Sequence, residues 1–361
     1  MKKVLMALAA TTVVGGAAAQ SSVTLFGVAD IAFQHVTNGG VATLNRFHSG
    51  AHTGSRIGFR GQEDLGGGLS AGFWLEAAIG IDSGAGGATN TNNQPSGSGA
   101  STAPPGLTFN RRSTVSLTDA RWGEVRLGRD YAPQYWNIFW YDPWNNGGVA
   151  ASQVANSLPN LTIAGVRASN GISYLTPSTL GGFFGQVTYF LGENPSTPAA
   201  AENHGNGWGV RAGWKGGPVE VAASIGRVNY ATGDQRSLNF GGYWDLRVAR
   251  LMAMVQRDEI RADMSRGFIV GGVIPAGPGA VKVSYSEYRT GAAGVDPKTR
   301  KLGLGYVYDL SRRTVLFTTA STVRNSNGAA ASAAGGTSGG AGFPRPNNRS
   351  SGFELGIRHA F

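Results

Sequence analysis

Apolar side chains recur at every second position along most of this chain. In the last segment Phe353, Leu355, Ile357 and Phe361 share one parity, interrupted only by His359. Glu354, Gly356, Arg358 and Ala360 share the other. Near the start, Val23, Leu25, Ala29, Ile31 and Phe33 oppose Thr24 and Asp30. The same alternation sets Ile57 and Phe59 against Arg56 and Arg60, and Val281, Val283 and Tyr285 against Lys282, Ser284 and Ser286. It sets Leu302, Leu304, Tyr306 and Tyr308 against Gly303 and Gly305. Period two predicts strands rather than helices, and runs of about ten residues fit a tilted transmembrane strand. A single such strand is merely half-buried in water. A dozen or more, each with a small or polar second face, imply a closed sheet with lipid outside and water inside.

The segments between strands sort into two lengths. Seven are tight, at 63–68, 119–123, 178–182, 216–218, 245–247, 276–279 and 309–312, and carry turn residues such as Gly66-Gly67-Gly68 and Gly216-Gly217-Pro218. Eight are longer, near 35–50, 83–108, 131–168, 192–206, 229–237, 258–266, 289–298 and 324–350. Fifteen connections predict sixteen antiparallel strands with both ends of the sheet on the tight-turn side. An even number of strands with short periplasmic turns and long external loops is the pattern of bacterial barrels. About sixteen strands enclose an aqueous channel rather than a filled core.

Composition agrees with an exported barrel. Met1-Lys2-Lys3, the apolar run Val4 to Val14 and Ala17-Ala18-Ala19 have the order of a secretory leader. We therefore expect a signal peptide over 1–19 and the barrel over 20–361. Without Lys2 and Lys3 the balance is 29 basic to 21 acidic residues, a net charge of +8 against +10 for the whole chain. No segment approaches the ~18 unbroken apolar residues of a membrane helix. Gly is 57 of 361 residues and charged residues are 14%, which is unlike a soluble enzyme of this length. With no cysteine, neither disulfides nor thiolate metal sites support the fold. The excess of arginine is dispersed singly rather than gathered into the basic runs of a nucleic-acid binder, so no nucleic-acid partner is expected.

Chemistry of other kinds is poorly supported. The stretches 83–106 and 325–342 are rich in Gly, Ala, Ser, Asn and Thr and read as surface loops. No Gly-Lys-Ser/Thr follows them, as a phosphate cradle requires. His48 and His52 are four apart, but within a Gly/Ser/Thr segment without an acidic partner, so neither a metal nor another cofactor is expected. An outer-membrane barrel enzyme and a secreted β-helical adhesin are the alternatives. The first is smaller than sixteen strands, and the second needs a short internal repeat that is not found here.

Seven segments stand out along the chain. The first are Ser22-Val-Thr-Leu-Phe-Gly-Val-Ala-Asp30, Gly54-Ser-Arg-Ile-Gly-Phe-Arg-Gly-Gln-Glu-Asp-Leu-Gly-Gly-Gly68 and Phe109-Asn-Arg-Arg112. Further along are Gly123-Glu-Val-Arg-Leu-Gly-Arg-Asp130, Ile172-Ser-Tyr-Leu-Thr-Pro177, Gly305-Tyr-Val-Tyr-Asp-Leu-Ser-Arg-Arg313 and Leu355-Gly-Ile-Arg-His-Ala-Phe361. Together they resemble the general diffusion porins of β-proteobacteria, in particular the anion-selective porins of Comamonas/Delftia-type bacteria. The resemblance implies a homotrimer of sixteen-stranded outer-membrane barrels, each a passive, non-enzymatic channel with its third external loop folded inward. Outer-membrane lipid and lipopolysaccharide would surround it, and small anions or organic acids would pass through. It also implies that Phe361 is read by the outer-membrane assembly machinery.

The third loop corresponds to the connection 131–168, whose aromatic residues Tyr135, Trp136, Phe139, Trp140, Tyr141 and Trp144 suit packing inside the barrel. The resemblance places Arg56, Arg111 and Arg167 on the wall opposite that loop. Arginine stays charged at any relevant pH and offers a planar donor fork to carboxylate or phosphate. Alternation supports Arg56 and adds Arg60. It favours Arg112 over Arg111 if Val115 and Leu117 face lipid, so the choice between the two stays open at this stage. Glu76, on the inward parity of its strand, and Asp142, in the loop, would supply the opposing negative charge.

Overall fold

The computed structural model describes residues 22–94, 106–152, 164–196, 202–261, 263–291, 295–334 and 343–361. The leader expected over 1–19 lies outside them, as do parts of six of the expected loops. Residues whose side chains alternate in size and polarity form β1 (Ser22–Asn38), β2 (Ala42–Ser49), β3 (Arg56–Gly66), β4 (Leu69–Ala78), β5 (Arg112–Asp119) and β6 (Gly123–Tyr131). The single helix among the described residues, α1 (Pro133–Trp140), follows β6. The chain continues through β7 (Arg167–Leu175), β8 (Phe183–Phe190), β9 (Gly207–Gly216), β10 (Val219–Val228), β11 (Gln235–Asp245) and β12 (Arg250–Ile260). It ends with β13 (Asp263–Ala276), β14 (Gly279–Gly291), β15 (Lys298–Asp309), β16 (Thr314–Ser326) and β17 (Ser350–Ala360).

All seventeen strands lie in one sheet, and each pairs antiparallel with its neighbour in sequence except at the join. There β1 does triple duty. Its first half, Ser22–Val28, pairs with β3, its second half, Ile31–Asn38, pairs with β2, and Val28–Asn38 also pairs with β17. Segments β2 and β3 therefore share one place in the sheet, and seventeen segments make a closed barrel of sixteen strands. Residues 50–55 interrupt that shared strand. The Asp30 carboxylate accepts hydrogen bonds from the backbone N–H groups of His52 (3.2 Å) and Thr53 (2.7 Å), and Ser55 Oγ bonds the Asp30 carbonyl at 2.9 Å.

The apolar parity faces outward along the whole wall. Val115, Leu127, Ile172, Leu238, Leu304 and Leu355 are each at least half exposed, which only a hydrocarbon surrounding makes favourable. The opposite parity of the same strands carries Asp30, Gln34, Ser224, Asn239, Ser284 and Glu354, buried against chain that lies inside the barrel.

The seven tight turns fall where expected, but several external connections are shorter. The expected loop 35–50 is in fact the end of β1, a turn at 39–41 and β2. The connections expected over 229–237, 258–266 and 289–298 contract because β10 to β15 run on past the apolar band. Above that band both faces of a strand meet water, so hydrophobic alternation no longer marks it while backbone pairing continues.

Candidate functional site

The connection from β6 to β7 turns into the barrel. Pro133 occupies the first position of α1, where its fixed φ and missing N–H cost nothing. The helix lies against the inward faces of β9, β10 and β11. Asn137, fully buried, donates to Asn239 Oδ1 at 2.8 Å and accepts from Arg211 Nε at 2.7 Å, and Asn239 Nδ2 donates to the Gln134 carbonyl at 3.0 Å. Beyond the helix, Trp144 Nε1 donates to Ser284 Oγ at 2.7 Å, and Val149 N–H donates to Glu354 at 2.9 Å. Glycines on the inward parity leave room for this passage. A Cβ at Gly305 would come within 3.0 Å of the Trp144 ring, and one at Gly352 within 2.8 Å of Val149. The loop thus lines the wall from β9 round to β17.

The opposite wall is basic. Arg56 begins β3, Glu76 lies near the end of β4, and Arg111 stands just before β5. Arg111 Nε donates to Glu76 Oε1 at 2.5 Å, and Arg56 Nε is 3.8 Å from the same oxygen. The Tyr131 hydroxyl accepts from both Arg111 (2.8 Å) and Arg167 (2.8 Å), and the Arg167 guanidinium lies 4.3 Å from the Tyr131 ring centroid. Three guanidiniums therefore meet around one carboxylate and one phenol. Tyr131 is fixed in turn by Tyr135 and Trp136 of α1, with ring centroids 5.5 and 4.7 Å away. The aromatic residues of the loop thereby hold the basic wall in register with the helix.

Arg60 and Arg112 lie on the same wall, closer to the tight turns. The Arg60 guanidinium sits 5.5 Å from Phe26 and 5.2 Å from Trp74, while Arg112 sits 4.7 Å from Trp74. Arg112 is also 3.8 Å from both Glu124 and Asp130. Both Arg111 and Arg112 face the lumen, although neighbours on a strand should not. Pairing of β5 with β4 begins at Arg112 opposite Glu76, so Arg111 precedes the pleat and escapes its alternation.

Asp142 stands elsewhere than the sequence pattern suggested. It is fully buried behind the helix, accepting backbone hydrogen bonds from Trp144 (3.0 Å) and Ser152 (2.8 Å). Burial raises its pKa, an effect opposed by Lys301 and Lys282 on the wall behind. Its hydrogen bonds close the loop's own turn between Asp142 and Ser152. His52, in the 50–55 interruption, is stacked on Phe317 at 5.2 Å. Sequence reasoning missed Tyr131, whose hydroxyl joins two arginines, and Arg129, which donates to the Asn110 carbonyl (2.6 Å) and Ser169 Oγ (2.8 Å). A register shift between Gly128 and Asp130 puts this end of β6 out of simple alternation.

Comparison with known proteins agrees with this architecture. The sequence profile described as Gram-negative porin matches residues 5–328. Outer membrane porin protein 32 of Delftia acidovorans is 35% identical over 384 residues, covering all of both chains. An outer membrane porin protein of Bordetella pertussis is 30% identical over 90% of this chain and 95% of its own. Among solved structures, the anion-selective porin from Comamonas acidovorans superposes with a TM-score of 0.78 at 30% identity, covering 95% of this chain and 100% of that one.

Proposed function

This chain belongs to the Gram-negative porin family, and from that premise we propose that its outer-membrane barrel passes small anions and organic acids in preference to cations. The observation that carries the preference is the meeting of Arg56, Arg111 and Arg167 around the single carboxylate of Glu76. With α1 and its following loop along the facing wall, solute passes between the aromatic helix and this basic surface. Arg60 and Arg112 continue the positive track toward the tight turns. Clustered positive charge in a narrow aqueous passage raises the local anion concentration and repels cations. Glu76 limits the field and orients Arg111, while Asp142 acts indirectly by closing the loop's own turn. Reversal potentials across a KCl gradient in planar bilayers test the reading. Equal chloride and potassium permeabilities in dilute salt would contradict it.

The finer assignments belong to the same proposal. Residues 1–19 are removed as a leader, so sequencing the exported protein should begin at Gln20. Three copies assemble side by side in the outer membrane, surrounded by lipid and lipopolysaccharide, and a detergent-purified protein that sediments only as a monomer would count against this. Phe361 serves assembly. Its backbone exchanges hydrogen bonds with Gly27 at 3.0 and 3.1 Å, and its ring covers Gly27, where any Cβ would collide with it. It stays 47% exposed, a position suited to recognition by the assembly machinery before the barrel closes.

A further inference from the structure

We infer that the pore favours anions built on an aromatic ring, the ring lying on a stripe of α1 and the anionic head on the neighbouring guanidiniums. The inference rests on the anion-preferring reading above and names the class of solute that this passage holds best.

The stripe follows from how α1 is seated. A helix beside water ordinarily turns its polar side chains to the water and its apolar ones to the protein. Here the order is largely reversed. Gln134, Asn137 and Ile138 are buried on the side that meets β9 to β11, and the Asn137 amide is tied to Asn239 and Arg211. Trp136, Phe139 and Trp140, spaced i, i+3 and i+4, form the other side and face the lumen, and Trp140 stays 47% exposed. Apolar groups exposed on the outer wall meet hydrocarbon, but a helix held inside the barrel does not. An aromatic surface kept in water marks a place where something binds.

Ring geometry makes the stripe continuous. Trp136 and Trp140 are nearly parallel, with centroids 6.2 Å apart and planes 15° from one another, and Phe139 meets them edge-on at 6.2 and 4.9 Å. At one end Trp136 lies 4.7 Å from Tyr131, whose hydroxyl binds Arg111 and Arg167. At the other end Trp140 borders a recess of about 480 Å³ beside the turn between β11 and β12, where Arg247, Arg250 and Lys282 gather. Asp245 balances Arg250 at 2.8 Å, whereas Arg247 and Lys282 have no carboxylate within ion-pair distance among the described residues. The passage therefore offers a flat apolar surface with cationic donors at both ends. A small inorganic anion uses only the charges. An aryl carboxylate uses both parts, its ring lying offset or edge-on against the indoles while its carboxylate meets an arginine fork.

The test reads single-channel chloride conductance in planar bilayers while benzoate, acetate, cyclohexanecarboxylate or gluconate is added to dilute KCl. Benzoate should halve the conductance at a concentration about fivefold below that of acetate, the factor that one ring contact of about 1 kcal/mol supplies. Trp140→Leu should remove most of this preference, and Trp140→Phe should keep it. Should the leucine variant fail to fold, the wild-type comparison decides alone. Equal half-blocking concentrations for benzoate and acetate overturn the inference, as does an undiminished benzoate preference in Trp140→Leu. Cyclohexanecarboxylate equal to benzoate would assign the stripe to apolar acids in general, and gluconate ahead of benzoate would assign it to sugar acids. Either result overturns the aromatic class. The anion-preferring reading fails separately, through equal chloride and potassium permeabilities in the wild type.

Discussion

Replacing Arg56 and Arg167 together by Gln should abolish most of the ion preference without closing the pore. The cluster holds three guanidiniums and one carboxylate, a net charge of +2, and the double variant leaves Arg111 paired with Glu76, a net charge of zero. A monovalent ion about 6 Å from a net charge of +2 in water gains or loses about 1.4 kcal/mol before screening. At 0.1 M salt, with a screening length of about 10 Å, about 0.8 kcal/mol remains. That enriches anions and depletes cations by about 3.6-fold each, a permeability ratio of about 13. At 1 M salt, where screening falls to about 3 Å, the same sum gives a ratio of only about 2. Reversal potentials across KCl gradients should therefore show a strong chloride preference in dilute salt that fades in concentrated salt. The double variant should sit near unity throughout. Changing Arg345, in the connection between β16 and β17, should do far less. Equal ratios in wild type and the double variant, or a wild-type ratio indifferent to salt, would refute the electrostatic account.

Three other outcomes are expected. Glu76→Gln raises the cluster to +3 and should increase the chloride-to-potassium ratio about three- to fourfold at 0.1 M salt, provided Arg111 keeps its bond to Tyr131; a fall in the ratio would mean that Glu76 chiefly positions Arg111. Between pH 8 and 5 the selectivity should be flat, because the arginines that line the passage do not titrate there; a rise on mild acidification would place a protonating group in the passage. Phe361→Ser should lower the amount of barrel in the outer membrane much more than it lowers the melting temperature of the barrels that do insert, as judged by membrane fractionation and heat-dependent gel mobility.

Much of the barrel was legible because lipid on one face and water on the other write period two into every strand. Leu302 and Leu304 against Gly303 and Gly305 announced both the outward wall and, in retrospect, the inward space that Trp144 and Ala150 occupy. The signal failed where that asymmetry ends. Glu259, Arg266 and Arg289 lie on strands whose two faces are both polar, so the ladders of β12 to β15 looked like loops. His48 to Ser55 hid a different feature, a strand broken by an inward excursion whose anchor, Asp30, lies more than twenty residues away. The basic wall was legible residue by residue, but its geometry was not. That Arg111 and Arg112 both face inward depends on where pairing with β4 begins, and the meeting of Arg111 and Arg167 on Tyr131 depends on contacts between distant strands.

The seam between β1 and β17 also governs how such a molecule can come into being. Every other ladder joins segments that are neighbours in sequence or, for β1 and β3, one segment apart, but Val28 faces Ala360 and Asn38 faces Ser350, separations of 332 and 312 residues. Bringing the ends of so long a chain together costs about 5 kcal/mol in loop entropy, recovered only when the entire row of backbone bonds forms at once. Until then the growing sheet has two open edges, each a template for pairing with another chain. Hairpin formation is therefore local and fast, while closure is a single late, long-range event. A chain in transit to the membrane is vulnerable to aggregation for the whole interval between the two, and its survival depends on whatever shields those edges rather than on the stability of the finished barrel.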